Sequence, residues 1–97
     1  MFWVISYDIV DDRRRYRVRR ALEGYGRRVQ YSVFECELEP DRWEKLVKTL
    51  TKLIHEKEDN VRFYPLNKAE KERRHLLGTG EIQDVRPYYY VDEKFPF

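Results

Sequence analysis

The chain has 97 residues, of which 39% are charged and 15% aromatic, and its net charge at pH 7 is +2. This length allows one domain with one thin core and excludes a deep pocket enclosed by several layers. The aromatic share excludes a disordered composition, and the charge is uneven: residues 1–30 carry net +4, residues 31–60 net −3 and residues 61–97 net +1.

The first element is "FWVISYDI", Phe2 to Ile9, rich in strand-forming residues. Alternation puts Trp3, Ile5, Tyr7 and Ile9 on one face and Phe2, Val4, Ser6 and Asp8 on the other. Both faces are largely apolar, which predicts a central strand covered on both sides. Asp8 is the exception on its face.

Asp11 or Asp12 can cap the helix that follows. Val18, Ala21, Leu22 and Tyr25 keep helical spacing and Gly26 is a stop signal, so the first helix is predicted over about Asp12 to Tyr25. Its first turns hold Arg13, Arg14, Arg15, Arg17, Arg19 and Arg20, six like charges in eight positions. Cations at a helix start oppose the helix dipole and repel one another. A local rule broken in this way often marks a functional site. At about 100° per residue, Arg14 and Arg15 share the azimuth of Val18 and Leu22 one turn earlier, so they are expected to overhang the carboxyl end of the first strand. Arg17 flanks the apolar stripe, whereas Arg13 and Arg20 face solvent. Arg14, Arg15 and Arg17 are therefore expected nearest Asp8, as a phosphate clamp, with Asp11 and Asp12 balancing part of the charge.

"RRVQYSVFECEL", Arg27 to Leu38, reads as β structure, either one long strand or two short ones with a turn near Gln30 to Ser32. "EPDRWEKLVKTLTKLIHEKED" is the clearest helix, with Trp43, Leu46, Val47, Leu50, Leu53 and Ile54 in one stripe and Pro40 in the first turn. "NVRFYPL", Asn60 to Leu66, is the next strand. The order β-α-β-β-α-β is the ferredoxin-like pattern, an α+β fold with two helices on one face of a four-stranded antiparallel sheet. The other face is left over, with Phe2, Val4 and Phe34 as candidate lining residues. An apolar open face in so small a protein predicts a partner or a dimer.

Past Asn67, "NKAEKERR" reads as a loop or short helix, "HLLGTGE" as a short strand ending in a Gly turn and "RPYYYV" as aromatic and β-prone. A neighbouring subunit's sheet edge is one place for this tail. Tyr88 to Tyr90 could stack on bases, though edge-strand packing is the simpler role.

Asp8 is the first candidate for chemistry. A lone carboxylate on an apolar face is costly unless it is paired or metal-bound. An arginine salt bridge or a helix cap would satisfy it. One carboxylate is too few for a metal cage but suits Mg²⁺, which keeps several waters and takes one or two carboxylates plus substrate phosphate. A twofold dimer through the open face would bring two Asp8 carboxylates together. The single cysteine, Cys36, excludes a disulfide framework or thiolate zinc cluster within one chain. His55 and His75 have no ligand spacing, and Ser32 has no histidine–aspartate arrangement to activate it. No signal peptide is visible, because "MFWVIS" meets Asp8 at once, and no apolar run reaches membrane-spanning length. A soluble, cytoplasmic protein with no membrane partner is expected.

"YDIVDDRRRYRV", "GYGRRVQYSVFECEL", "NVRFYPL" and "LLGTGE" together resemble the small CRISPR-associated Cas2 family over most of residues 1–81. The resemblance implies a ferredoxin-like homodimer of residues 1–81 joined through the open sheet faces. It implies that residues 82–97 are a C-terminal extension expected to pack on the partner subunit. It implies a metal-dependent endonuclease on single-stranded RNA or duplex DNA, with Asp8 binding Mg²⁺ or Mn²⁺ across the dimer axis. It also implies a role in spacer acquisition, in which the dimer bridges two copies of the CRISPR integrase and holds duplex DNA. The family's functional positions fall on Tyr7, Asp8, Arg15, Arg17, Arg28 and Phe34, with Ser32 in the same motif near the metal. Two other readings stay open: a non-catalytic DNA-binding adapter, and a toxin-like ribonuclease of the same fold.

Overall fold

The computed structural model describes residues 1–83. Within them, β1 (Phe2–Asp8), α1 (Asp12–Glu23), β2 (Arg27–Gln30), β3 (Val33–Glu37), α2 (Pro40–Leu53), β4 (Asn60–Leu66) and a short α3 (Lys68–Glu72) follow in order. The sheet runs β2-β3-β1-β4, with every neighbouring pair antiparallel. This is the ferredoxin-like α+β arrangement.

Register sets the two faces. Trp3 stands opposite Cys36 and Pro65, Ile5 opposite Phe34 and Phe63, and Tyr7 opposite Val61. All of these except the exposed Pro65 face α1 and α2 and join Val18, Ala21, Leu22, Leu46 and Leu50 in one core. Trp3 stacks on Trp43 at 5.5 Å between ring centroids, and Phe63 meets both edge-on. Cys36 is fully buried, and burial, with a smaller push from Glu35, drives its thiol up to about 12. It is core packing rather than a nucleophile.

Phe34 belongs to this helix-side core, 0% exposed, and not to the open face. Its register partner Ile5 fixes that side. Phe2 does lie on the other face, opposite Glu37 and Leu66. It is nevertheless only 2% exposed, because α3 and the residues after it cover it. The Lys71 ammonium sits 5.0 Å and the Arg74 guanidinium 4.8 Å from the Phe2 ring centroid. Arg74 pairs with Glu35 at 2.7 Å and Lys71 with Glu37 at 3.6 Å. The open face thus reduces to Val4, Ser6, Asp8, Val33 and the β4 residues Asn60, Arg62 and Tyr64.

Several boundaries differ from the sequence expectation for local reasons. Asp11 caps α1, its carboxylate accepting from Arg14 N–H at 3.0 Å. Helix α1 ends at Glu23, two residues early, as Tyr25 and Gly26 N–H both turn back to the Leu22 carbonyl. Arg27 to Leu38 forms two strands, with a bulge between Arg28 and Gln30. Helix α2 stops at Leu53, where the apolar stripe runs out, and "HEKED" becomes a turn closed onto the His55 carbonyl. "NKAEKE" is capped by a reciprocal Asn67–Glu70 pair. "HLLGTGE" forms no strand; Gly78 and Gly80 take positive φ angles of 91° and 115°, which turn the chain instead. Tyr88 to Tyr90 and most of the predicted extension lie outside the described residues.

Gly26 is required by a close approach. A Cβ there would meet the Glu35 carbonyl oxygen at 2.4 Å and Cys36 Sγ at 2.3 Å. Backbone must move to admit it, so Gly26→Ala should lower stability by about 2 kcal/mol. A urea titration with unchanged slope and a lower midpoint would show this; an unchanged midpoint would refute it.

Candidate functional site

Asp8 ends β1 opposite Asn60 and is exposed. It shares the open face with Ser6 and, through the Ser6–Arg62 pairing, lies diagonal to Arg62. Arg62 is held above its ordinary value, first by a side-chain hydrogen bond to Tyr64 and in smaller part by the Asp8 charge. Sequence reading missed Arg62. The signal was the alternation of "NVRFYPL", which puts Asn60, Arg62 and Tyr64 on the face away from Val61 and Phe63.

The expected arginine clamp does not gather at Asp8. Arg14 forks onto two other carboxylates, with Nε 2.9 Å from Asp59 and Nη2 2.9 Å from Glu58. Arg15 turns back onto backbone: Nε and Nη2 donate to the Ile9 carbonyl at 3.2 and 2.9 Å, Nη2 also to Val10 O at 3.3 Å, and Nη1 to Asp12 at 2.6 Å. Arg17 is exposed and has no ion pair among the described residues. Two physical causes separate these arginines from Asp8. Helix α1 packs on the sheet face opposite to the one Asp8 occupies. Acceptors lie nearer at hand, in the loop after β1 and in the turn before β4.

Helical phasing also divides the arginines. Arg14 and Arg17 fall on one flank of the buried stripe, whereas Asp12, Arg15, Tyr16 and Arg19 fall on the other. The second flank faces the β2–β3 turn, and there a cleft of about 370 Å³ opens between Arg15, Tyr16 and Arg19 of α1, Arg28 of β2 and Tyr31 of the turn. Tyr7 forms part of its lining. The Tyr7 ring is buried 6.4 Å from Phe34, and its hydroxyl donates to the Tyr31 carbonyl at 3.3 Å. Burial raises the Tyr7 phenol, against the opposing charges of Arg28, Arg19 and Arg15. Arg28 Nε donates to the carbonyls of Tyr31 at 3.1 Å and Gln30 at 3.4 Å. Ser32 enters through its backbone, its carbonyl accepting from Tyr7 N–H at 3.1 Å.

The site residues thus divide between two sides of the sheet. Asp8 is on the open face with Arg62. Tyr7, Arg15 and Arg28 are at the helix-side cleft, Phe34 is in the core beneath it, and Arg14 is in a separate carboxylate network. Tyr16 and Tyr31 were missed by sequence reading, and Arg19 was counted in the arginine cluster without being singled out, although Tyr16 and Arg19 stand one and four residues after Arg15 on that flank.

No three His, Cys, Asp or Glu side chains converge on a cation site among the described residues. An exposed carboxylate such as that of Asp8 is nonetheless chemically suited to be one of the few protein ligands Mg²⁺ takes, with water and phosphate for the rest.

Fold and site together define a small ferredoxin-like protein with an acid at the tip of a central strand and an arginine–tyrosine cleft behind it. The chain belongs to the family described as CRISPR associated protein Cas2, whose model matches residues 1–74. It is 44% identical over 91 residues to a CRISPR-associated endoribonuclease Cas2 of Chloroflexus aurantiacus, covering 94% of this chain and 97% of that one. Streptococcus pyogenes Cas2 superposes with a TM-score of 0.73 at 36% identity, over 80% of this chain and all of that one. A chain of a partial Cas6-RT-Cas1–Cas2 complex superposes at 0.70 with 38% identity, over 78% and 89% of the two chains. No helix of the described residues is long and apolar enough to cross a membrane.

Proposed function

We propose that the chain is a metal-dependent endonuclease, active as a homodimer through the open sheet face, that serves CRISPR spacer acquisition beside the CRISPR integrase in the cytoplasm. The observation that carries this reading is Asp8, an exposed carboxylate at the tip of a central strand on the less covered face, in a chain of the Cas2 family. Single-stranded RNA is the first substrate, because its relatives are named endoribonucleases; duplex DNA is the second. The likeness to a chain in a Cas1–Cas2 assembly supports the integrase as partner.

Asp8 from each of two copies would hold Mg²⁺ or Mn²⁺. When bound, such an ion polarises a phosphodiester and acidifies its water. Arg62 supplies a cation beside Asp8 for non-bridging phosphate oxygens. Arg17 and Arg28 neutralise backbone phosphates, with Arg15 adding its charge from the cleft wall, so affinity falls steeply with salt.

The test is cleavage of labelled single-stranded RNA and duplex DNA in Mg²⁺, in Mn²⁺ and in chelator, with solution mass measured in parallel. A dimer that cuts only with metal is the expected result, and cleavage surviving chelation would contradict it.

A second reading has its own observation. The arginine–tyrosine cleft lies across the sheet from Asp8, so binding can persist without cutting. A dimer that binds duplex DNA, cuts neither substrate in any metal and still supports integration would be an adapter.

A further inference from the structure

We propose that the helix-side cleft is a subsite for an unpaired nucleotide segment, seating one backbone phosphate between Arg19 and Arg28 and a base against each of Tyr16 and Tyr31. This rests on the reading that the chain binds nucleic acid, and it assigns Tyr16, Arg19 and Tyr31 a role that the Asp8 chemistry does not use.

Size and charge agree. The cleft's volume of about 370 Å³ lies in the range of small-ligand sites, roughly 300–1,000 Å³. Three guanidiniums line it against one carboxylate, Asp12, which is already tied to Arg15. Arg15 is largely spent on the Ile9 and Val10 carbonyls and so acts as a wall. Arg28 uses only Nε, leaving both terminal nitrogens without a partner among the described residues. Arg19 gives Nη1 to Glu23 at 2.8 Å and keeps its other donors for a ligand.

The tyrosines separate this cleft from a plain basic patch. Tyr16 and Tyr31 are 55% and 71% exposed, which is high for rings of that size. Each already carries a guanidinium on one face, Arg19 at 5.2 Å from the Tyr16 centroid and Arg28 at 5.1 Å from that of Tyr31. The opposite ring faces are left for other planar groups. Bases in a duplex are stacked on one another, so an aromatic platform of this kind meets unpaired bases. A tyrosine that only contacts a duplex phosphate does so through its hydroxyl, whereas a stacking platform uses the ring, which Phe retains. The platform is also held in place: Tyr7 Oη and Arg28 Nε both donate to the Tyr31 carbonyl, which fixes the turn and leaves the Tyr31 ring outside.

The experiment is a fluorescence-anisotropy titration of the full chain with short labelled oligo(U), oligo(dT) and a duplex, in chelator to hold off cleavage. Tyr16→Ala and Tyr31→Ala should each weaken single-strand binding by about tenfold, and the two Tyr→Phe variants should restore it. Duplex binding should change by less than about twofold. Weakening with either strand supports the subsite, and the strand that loses more identifies the sugar it takes. Both rings are exposed and their backbones untouched, so the Ala variants should melt like the wild type. Single-strand binding unchanged in both Ala variants overturns the proposal, as does equal loss on duplex and single strand. Wild-type protein that binds none of the three overturns the nucleic-acid reading itself.

Discussion

Asp8→Asn protein should cut single-stranded RNA about a hundredfold more slowly than wild type, or slower still, and should bind it equally well. The substitution is nearly isosteric, and the Asp8 carboxylate, exposed at the end of β1, makes no hydrogen bond or ion pair among the described residues. Its melting temperature should therefore stay close to that of wild type. What changes is charge. Each dimer loses two carboxylates at one cation site, and an amide oxygen is a far weaker ligand for a hard cation. Arg62 keeps its bond to Tyr64, so the face does not rearrange. Affinity for RNA should hold or rise slightly, because removing an anion favours a polyanion. Gel analysis of cleavage, anisotropy for binding and solution mass for the dimer separate these effects. Undiminished cleavage in a clean Asp8→Asn preparation would remove Asp8 from the chemistry and leave the adapter reading. Lost cleavage together with a lost dimer would instead make Asp8 an interface residue.

The fold was legible because its signals are periodic. "FWVISYDI" alternates, the α2 stripe repeats at helical spacing, and the order of elements leaves one common topology. What periodicity cannot supply is which side of the sheet an unpaired strand faces. "SVFECEL" sets Phe34, Cys36 and Leu38 on one side against Val33, Glu35 and Glu37, but only the pairing of Phe34 with Ile5 shows that this side faces the helices. The cover over Phe2 is a tertiary effect: Lys71 and Arg74 reach it through bonds to Glu37 and Glu35 that no local pattern announces.

The site was less legible, for a related reason. Azimuth along α1 measures distance from the buried stripe and says little about what stands beyond each flank. Arg14 and Arg15 were placed near the stripe, but one found Asp59 and the other the Ile9 carbonyl. Both acceptors are supplied by loops. The Asp8 face and the cleft are separated by one strand's alternation: Tyr7 and Asp8 are neighbours in sequence and point to opposite sides. A single motif, "YDIVDDRRRYR", therefore serves two surfaces.

The junction between these surfaces is Asp59, and Asp59→Ala should cost about 3 kcal/mol of stability. Its side chain is 0% exposed and accepts from Arg14 Nε at 2.9 Å, Val10 N–H at 3.0 Å and His55 N–H at 2.8 Å. Removing the carboxylate orphans two backbone donors and leaves Arg14 with Glu58 alone. Burial by itself would raise the Asp59 carboxyl, but the bonds from Arg14, His55 and Val10 outweigh it and hold the group at about 2, against an ordinary 3.8. The native state therefore favours the charged form. The resulting stabilisation, about 2 kcal/mol, is complete above the ordinary value and disappears as pH falls toward 2. Wild-type stability should accordingly drop between about pH 4 and pH 2 more steeply than that of Asp59→Asn, which has no proton to take up there. Urea titrations of both proteins across that window measure the difference, and parallel curves would show that Asp59 is not the titrating anchor. The same bonds bear on function. Val10 stands two residues after Asp8, and Arg14 precedes the Arg15–Tyr16 wall of the cleft, so Asp59→Asn loosens both surfaces at once. Cleavage and single-strand binding should each weaken severalfold in that variant. Asp8→Asn should lose only the first, and the tyrosine variants chiefly the second.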